Sequence, residues 1–363
     1  MDTTAGRSSR RPRGVGSARA QSSAASLPEH SLDNLPLELT SFVGRDREVA
    51  EVKRLLSDRR LLTLCGPGGA GKTRLALAVA QDLVEEFEGG VWWVELAPLS
   101  DPELVARSVA SALGVPEEPD HSPIEALVQH LKSRKTLLIL DNCEHLVEEC
   151  ADLADTLLRT CPELEILATS REPLRVAGES SWQVPSLSLP DAGRLTPAGE
   201  LAGYEAVHLF VERAQAVDAG FALTEDNAPA VARLCQKLDG IPLAIELAAA
   251  RSRVLAVEQI SERLEDPLGL LTSGDRSSAP RQRTLRATLE WSHGLLGEAE
   301  RVLFRRLSVF VGGWNLEAAE AVWGGNRCRQ GSCWTCFRPW WTNRLCWQRP
   351  NPGALCATGC SSR

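Results

Sequence analysis

Residues 66–73 read GPGGAGKT and match the pattern G-x-x-x-x-G-K-[ST] at every position. The apolar residues 61–65 (LLTLC) predict a strand immediately before this stretch, and residues 73–86 predict a helix immediately after it. The glycines allow the main chain to curl until successive N–H groups converge on one anion, and the helix N-terminus adds a partial positive charge. The stretch therefore predicts a phosphate-binding loop that joins a strand to a helix.

The side chains of this loop predict a nucleoside triphosphate as the ligand. Lys72 is expected to reach the β- and γ-phosphates, and the Thr73 hydroxyl is expected to bind Mg²⁺. ATP or ADP with Mg²⁺ is therefore the predicted cofactor. The predicted cofactor-binding residues of the loop are Gly66, Pro67, Gly68, Gly69, Ala70, Gly71, Lys72, Thr73 and Arg74.

A carboxylate that faces the metal is expected at the end of a neighbouring strand. Asp141 follows the apolar residues 137–140 and is predicted to be the Walker B acid, which binds Mg²⁺ together with Thr73. The next residue is Asn142, and Glu144 is the nearest further carboxylate. Glu144 can polarise a water molecule, or it can act as the N-terminal acid of a helix that begins at His145; both interpretations stay open. Hydrolysis is expected to be slow.

Strands and helices alternate through the first half of the chain. Strands are predicted at residues 61–65, 91–96, 137–140 and 164–169, with helices at 102–113, 124–133 and 145–158. This alternation predicts an α/β fold with a parallel sheet that is covered on both faces. Beyond residue 189 only helices are predicted, at 202–217, 228–238, 241–252, 257–264, 284–296 and 298–310. We therefore predict a P-loop NTPase domain at 34–190, a helical domain at 191–280 with a linker at 272–280, and a partial winged-helix unit at 281–322.

Composition narrows the class of protein. The chain has 363 residues, a net charge of -8 and a pI of about 5.5, which argues against a surface built mainly for nucleic acid. No apolar run approaches the roughly 18 residues that a membrane helix needs, and no signal peptide is recognised. A cytoplasmic protein without membrane contact is expected.

The cysteines before the tail have the apolar or helical surroundings of reduced thiols. They are Cys65, Cys143, Cys150, Cys161 and Cys235.

Further motifs carry a resemblance to a known family. In chain order they are FVGRDRE at 42–48, the loop at 66–73, LILDNCEH at 138–145, ILATSREPL at 166–174 and LDGIPLAIELAAAR at 238–251. Together they resemble the NB-ARC-like signal-transduction ATPases, and most of all the large bacterial LuxR-type transcription regulators that carry such an ATPase. The resemblance covers about residues 34–322.

The resemblance implies roles for residues outside the loop. Val43 and Arg45 would line the adenine and ribose, Arg171 would sense the γ-phosphate, and Pro242 would pack on the adenine. Lys72, Asp141, Glu144 and Arg171 are thus the candidate catalytic residues. Simpler interpretations stay open: Arg45 as a surface ion pair, Arg171 as an ordinary strand-end arginine, and Pro242 as the first residue of a helix.

The resemblance also implies a switch rather than a metabolic enzyme. ADP would hold the domains closed, and exchange for ATP would open them, since γ-phosphate contacts exist in only one state. Self-association through the ATPase domain is compatible with this scheme, and DNA would be bound only through a C-terminal module that this chain lacks. A catalytic P-loop phosphotransferase and a directly DNA-binding regulator are the competing hypotheses.

The two ends of the chain differ from the rest. Residues 1–33 are rich in Ser, Ala, Gly and Arg and predict a disordered leader. Residues 323–363 contain no Asp or Glu but hold six of the 11 cysteines. The Trp-containing pairs there are compatible with an overlapping reading frame that resembles the family. We therefore interpret this tail as aberrant, frame-shifted sequence rather than as a zinc or redox site.

Overall fold

A computed structural model of the chain describes residues 33–117, 121–191, 196–264, 298–310 and 322. The predicted linker at 272–280, the helix predicted at 284–296, the tail at 323–363 and all of the predicted leader except Asp33 lie outside the described residues. Asp33 forms an isolated parallel bridge with Val91. The winged-helix unit is described only at 298–310 and 322, so its assignment stays a prediction.

The described residues contain one five-stranded sheet, and all its strands are parallel. They are β1 (Leu61–Cys65), β2 (Val91–Glu95), β3 (Thr136–Asp141), β4 (Leu164–Thr169) and β5 (Ser180–Gln183), in the order β2-β3-β4-β1-β5. The first four confirm the predicted strands, and β5 was not predicted. The sheet with its helices confirms the α/β P-loop NTPase fold.

The helices follow the predicted spacing with small shifts at their ends. The first part of the chain forms α1 (Asp46–Asp58), α2 (Lys72–Leu83), α3 (Leu104–Ala112), α4 (Pro123–Leu131) and α5 (Val147–Thr160). The helical part forms α6 (Ala198–Leu201), α7 (Glu205–Val217), α8 (Ala228–Lys237), α9 (Pro242–Ala249) and α10 (Val257–Arg263), and α11 (Glu298–Leu307) follows. Helices α1 and α6 were not predicted. Short 3-10 turns lie at Val84–Glu86 and Cys143–His145.

Helices cover both faces of the sheet because its inner strands are apolar on both sides. Every residue of β1 and β3 is buried. One core cluster joins α1 and α2 to one face and includes Val52 and Leu64. A second cluster joins α3, α4 and α5 to the opposite face and includes Leu138 and Leu153. Burying one such leucine contributes roughly 2 kcal/mol, so the two clusters stabilise the sheet from both faces.

The helical part has a third core, built around Phe210 in α7. Phe210 is fully buried and contacts Phe221 edge to face, with ring centroids 5.8 Å apart. Val43, which precedes α1, and Leu187, which follows β5, belong to the same cluster. The helical core therefore includes residues from segments that flank the sheet.

A tight turn brings α9 towards the sheet. Gly240 has a φ of 67°, and its carbonyl accepts a hydrogen bond of 3.1 Å from the amide of Leu187. A Cβ atom at position 240 would lie 2.5 Å from the Leu187 carbonyl oxygen, so only glycine fits without displacement. This turn places the first residues of α9 beside the glycine-rich loop.

Two composition-based expectations can be compared with the described residues. Cys65, Cys143, Cys150, Cys161 and Cys235 are all buried and free, which confirms their interpretation as reduced thiols. Within the described ranges, no helix is both long and apolar enough to cross a bilayer.

Candidate nucleotide site

The glycine-rich loop between β1 and α2 adopts the curled form that its sequence predicts. Gly69 and Gly71 have φ values of 82° and 90°, a region that side chains with a Cβ rarely adopt. Helix α2 begins at Lys72, immediately after the curl. The amides of the loop and the N-terminus of α2 therefore belong to one continuous turn, which is the arrangement that binds phosphate.

The Lys72 ammonium group lies inside this turn. Lys72 is 8% exposed, and its Nζ donates hydrogen bonds to the carbonyls of Gly66 (2.9 Å) and Pro67 (3.2 Å). Burial lowers the pKa of Lys72, while the nearby carboxylates of Glu144 and Asp141 oppose that shift. The lysine is thus a buried cation held against the main chain of its own loop.

Asp141 stands at the end of β3 and contacts two hydroxyls. Its Oδ1 accepts hydrogen bonds from Thr73 (2.8 Å) and from Thr169 (2.6 Å), the last residue of β4. Thr169 ends the central strand of the sheet, since β4 lies between β3 and β1. Its hydroxyl also accepts a hydrogen bond from the amide of Asn142 (2.9 Å). Burial raises the pKa of Asp141, and the two hydroxyl donors partly oppose that rise.

Glu144 and Arg171 form a buried ion pair next to this cluster. Arg171 Nε donates to Glu144 Oε1 at 3.2 Å. The Arg171 side chain is 9% exposed and the Glu144 side chain is 5% exposed. The Oε2 atom of Glu144 finds no hydrogen-bond partner within the described part of the chain. Helix α5 begins at Val147 rather than at His145, and Glu144 pairs with Arg171 in the preceding 3-10 turn. The predicted helix start at His145 is therefore wrong, whereas Glu144 lies in the first turn of a 3-10 helix and both interpretations of its carboxylate stay predictions.

Arg45 is buried rather than part of a surface ion pair, so that simpler interpretation is also wrong. It is 3% exposed, and its Nη2 donates to the carbonyls of Ala70 (2.8 Å) and Pro185 (3.0 Å). Its Nη1 has no hydrogen-bond partner among the residues that the structure describes. A Cβ atom at Gly71 would lie 3.8 Å from that nitrogen. Burial lowers the pKa of Arg45, although the carboxylates of Glu48 and Glu205 oppose the shift.

Helix α9 contacts the loop directly. The amide of Leu243 donates to the Gly69 carbonyl at 3.3 Å. Pro242 is in the first turn of α9, and its Cγ would lie 3.7 Å from a Cβ at Gly71. Pro242 therefore begins a helix, as one interpretation predicted, and it packs beside the loop; its contact with an adenine stays a prediction.

The guanidinium of Arg74 is engaged elsewhere. Its nitrogens contact Glu38 (3.5 Å) and Glu246 (3.4 Å) and donate to the carbonyls of Thr40 (2.9 Å) and Ser41 (2.6 Å). Glu246 of α9 also accepts from Arg213 of α7 at 3.1 Å. Arg74 thus links α2 to α9 and to the segment before α1. A contact between Arg74 and a nucleotide would be additional to these bonds.

These groups surround a cavity of about 300 Å³. The predicted site residues that line it are Val43, Arg45, Gly68, Gly69, Gly71, Lys72, Thr73, Arg74, Glu144, Arg171 and Pro242. Gly66, Pro67, Ala70 and Asp141 are not part of its lining, although each is bonded to a residue that is. The lining residues that sequence reasoning did not single out are Phe42, Asn142, Thr169, Leu187, Leu209, Leu243 and Glu246.

The oxygen atoms near Thr73 suit a magnesium ion only in part. Thr73 Oγ1 and Asp141 Oδ1 are hard oxygen ligands 2.8 Å apart. Among the described residues, no group of three or more His, Cys, Asp or Glu side chains could hold a metal ion. A cation here would therefore complete its shell with phosphate and water oxygens, as Mg²⁺ usually does.

The chain is similar to several known proteins. A family model described as an AAA domain matches residues 53–177, which include the loop, Asp141 and Arg171. The uncharacterized protein Rv0894 of Mycobacterium tuberculosis is 45% identical over 284 residues, which cover 78% of this chain and 69% of that protein. The chain belongs to the family of Rv0894. This member of the Rv0894 family therefore carries a P-loop ATPase domain.

Two further matches extend the comparison beyond Rv0894. The protein named "Putative HTH-type transcriptional regulator Rv0890c" of Mycobacterium tuberculosis is 47% identical over 275 residues, covering 76% of this chain. The chain spans 30% of the length of that relative. The Walker-type ATPase PABY2304 of Pyrococcus abyssi has a TM-score of 0.52 at 14% identity and covers 83% of this chain and 90% of its own. The last likeness shows the fold alone.

Proposed function

We propose that this chain is the ATP/ADP-binding signal-transduction ATPase module of a LuxR-type transcription regulator, and that it works as a nucleotide-dependent switch with slow hydrolysis. One observation carries the proposal. One cavity is bordered by the glycine-rich loop, by Thr73 with its hydroxyl bonded to Asp141, by the Arg171–Glu144 pair and by the start of α9. A ligand there would touch the sheet and the helical part together.

The cavity is lined by both polar and apolar residues, and we propose that they form a polar end for the phosphates and an apolar end for the base. At the polar end, the loop amides and Lys72 would bind the phosphates, and Thr73 with Asp141 would hold Mg²⁺. The metal would neutralise phosphate charge when it is bound. At the apolar end, Val43 and Pro242 would pack against the base, and the neighbouring wall residues are Leu187, Leu209 and Leu243.

The Arg171–Glu144 pair supports a switch over a fast enzyme. Glu144 is the carboxylate that would polarise a water molecule, and Arg171 holds one of its oxygens at 3.2 Å. A γ-phosphate would offer Arg171 a second acceptor, whereas ADP would leave the pair undisturbed. ATP and ADP would thus stabilise different arrangements of the same two side chains, which is the requirement for a population shift.

The regulatory part of the proposal draws on the relatives. A relative that carries the HTH-type regulator name is far longer than this chain, which spans 30% of it. We therefore propose that the module supplies the nucleotide switch of such a regulator. DNA contact would belong to a separate module, and self-association would use the ATPase domain.

Binding and turnover measurements test this function. The purified chain should bind fluorescent ADP and ATP in the presence of Mg²⁺, and the affinity should depend on Lys72. Turnover should fall well below the range of about 1–10³ s⁻¹ that is typical of enzymes. Rapid phosphate release, or phosphate transfer to an acceptor, would replace the switch with the phosphotransferase hypothesis. No binding of either nucleotide would remove both.

A further inference from the structure

Glu205, the first residue of α7, joins two segments that flank the sheet. Its Oε1 accepts a hydrogen bond of 2.7 Å from the amide of Arg45, and its Oε2 accepts one of 2.9 Å from the amide of Ser188. The amide of Glu205 in turn donates to the Ser188 hydroxyl at 3.0 Å. Both carboxylate oxygens are therefore occupied by main-chain donors from outside α7.

The segment that Glu205 holds has an unusual backbone. Gly44 and Arg45 are consecutive residues in the left-handed region, with φ values of 67° and 68°. Arginine rarely adopts such a value unless its surroundings impose it. A Cβ at position 44 would lie 2.7 Å from Oε1 of Glu205, so the glycine leaves room for the carboxylate to reach the amide of Arg45.

The backbone of Arg45 determines where its guanidinium goes. Nη2 is fixed by the carbonyls of Ala70 (2.8 Å) and Pro185 (3.0 Å). Nη1 is buried and has no hydrogen-bond partner in the described ranges, and Arg45 lines the cavity. A buried donor without a partner costs free energy, and an acceptor oxygen of a ligand in the cavity would recover it.

We propose that Glu205 is a positioning residue for the nucleotide: it holds Arg45 in the left-handed conformation that presents Nη1 to an acceptor oxygen shared by ADP and ATP. This inference rests on the proposed function. Glu205 does not line the cavity, and it acts only through Arg45. Because the acceptor is present in both nucleotides, Glu205 sets affinity for both, whereas Arg171 distinguishes between them.

A double-mutant cycle tests the proposal, with Glu205→Gln and Arg45→Ala as the two changes. The side-chain amide that Glu205→Gln introduces has a single acceptor oxygen and can serve only one of the two main-chain donors. One of the hydrogen bonds from the Arg45 and Ser188 amides is therefore lost, while the side chain keeps its size and shape. Each single variant should weaken fluorescent ADP and ATP alike, by roughly tenfold. The double variant should bind no more weakly than Arg45→Ala alone.

Glu225→Gln is the matched control. The Glu225 carboxylate also accepts a main-chain hydrogen bond, from the Ala198 amide at 3.1 Å, but it is not part of the cavity. Nucleotide affinity should stay at the wild-type value in this variant. If Arg45→Ala does not fold, Arg45→Lys takes its place in the cycle, because lysine lacks the second nitrogen of the fork.

The possible outcomes separate the two proposals. If the wild-type chain binds neither ADP nor ATP, the proposed function fails and takes this inference with it. If the wild type binds but Glu205→Gln keeps full affinity, only the inference fails. Independent effects of the two changes, which multiply in the double variant, would show that Glu205 contributes to general stability and not through Arg45.

Discussion

Arg171 Nε lies 3.2 Å from Oε1 of Glu144, and both side chains are almost completely buried. Because only ATP offers a γ-phosphate as an alternative acceptor, Arg171→Ala should weaken ATP binding about tenfold more than ADP binding. Titration of the variant with both fluorescent nucleotides gives the two ratios. Equal losses would remove the γ-phosphate role of Arg171.

The same substitution removes the ion-pair partner of the buried Glu144 carboxylate and leaves it with the electrostatic influence of the nearby Lys72. Removal of one partner from a buried pair costs about 3–5 kcal/mol, so the denaturant midpoint should be measured alongside affinity. The double variant Arg171→Ala with Glu144→Gln should recover much of the stability without recovering the preference for ATP. Binding is compared at a temperature at which every variant is folded.

Lys72→Ala should abolish measurable ATP binding, because the affinity for ATP should fall by more than about 100-fold. The far-ultraviolet circular dichroism spectrum should be retained. Within the described part of the chain, the hydrogen bonds of the Lys72 side chain go to carbonyls of its own loop, at 2.9 Å and 3.2 Å, so no strand is hydrogen-bonded to it. Lys53→Ala is the control, since that lysine forms an ion pair of 3.3 Å with Asp82 of α2 and does not line the cavity. Unchanged ATP affinity in Lys72→Ala would place the nucleotide elsewhere.

Gly240→Ala should lower the free energy of unfolding by about 1–3 kcal/mol. The position has a φ of 67°, and an added Cβ would lie 2.5 Å from the Leu187 carbonyl oxygen. Gly199→Ala in α6 is the matched control: no described atom comes within 4 Å of its Cβ position, and alanine favours a helix. Equal denaturant midpoints for the two variants would contradict the predicted strain.

The five cysteines between residues 65 and 235 should resist alkylation in the native protein. Burial raises the pKa of Cys65 and of Cys235 to about 12, so little thiolate forms at about pH 8, and the thiols are shielded as well. Iodoacetamide treatment followed by peptide mass spectrometry should find these five unmodified, whereas denaturant should expose them all. Rapid native labelling of Cys65 would show that β1 opens.

Stability should depend on pH through Glu205. Burial raises the pKa of Glu205, but hydrogen bonds from the amides of Ser188 and Arg45 lower it by more, so the net shift is downward. A carboxylate with a lowered pKa stabilises the fold above its ordinary pKa of about 4.3 and loses that contribution as the pH falls through the lowered value. The gap in denaturant midpoint between wild type and Glu205→Gln should therefore be constant from about pH 7 to about pH 5 and shrink below that. A gap that widens in acid would contradict this sign.

Much of the fold was predictable because its signals are local. Strands β1 to β4 are apolar runs, and the glycine-rich loop defines its own geometry. Strand β5 (SSWQ) was missed because it is a four-residue edge strand with alternating burial and no apolar run. Helix α1 was missed although its apolar spacing at Val49, Val52 and Leu56 indicates a helix.

Residues of the candidate site were predictable only where their type and local sequence indicate the role. Asp141 ends an apolar strand, and the structure brings it within 2.8 Å of Thr73. Thr169 was missed because its role follows from the order of strands, which places β4 between β3 and β1. Glu205 was missed because its contact with Arg45 spans 160 positions of sequence, and no local pattern encodes such a pair.

Val43 and Leu187 come before the helical part in the sequence but pack in its core, and this limits where a shortened protein can end. Both side chains are buried in the core of the helical part, although both precede residue 191. A recombinant fragment that stops at residue 190 would turn these two side chains towards water and lose the carboxylate that holds Arg45. Nucleotide binding should accordingly be lost when the chain is cleaved between the sheet and α7.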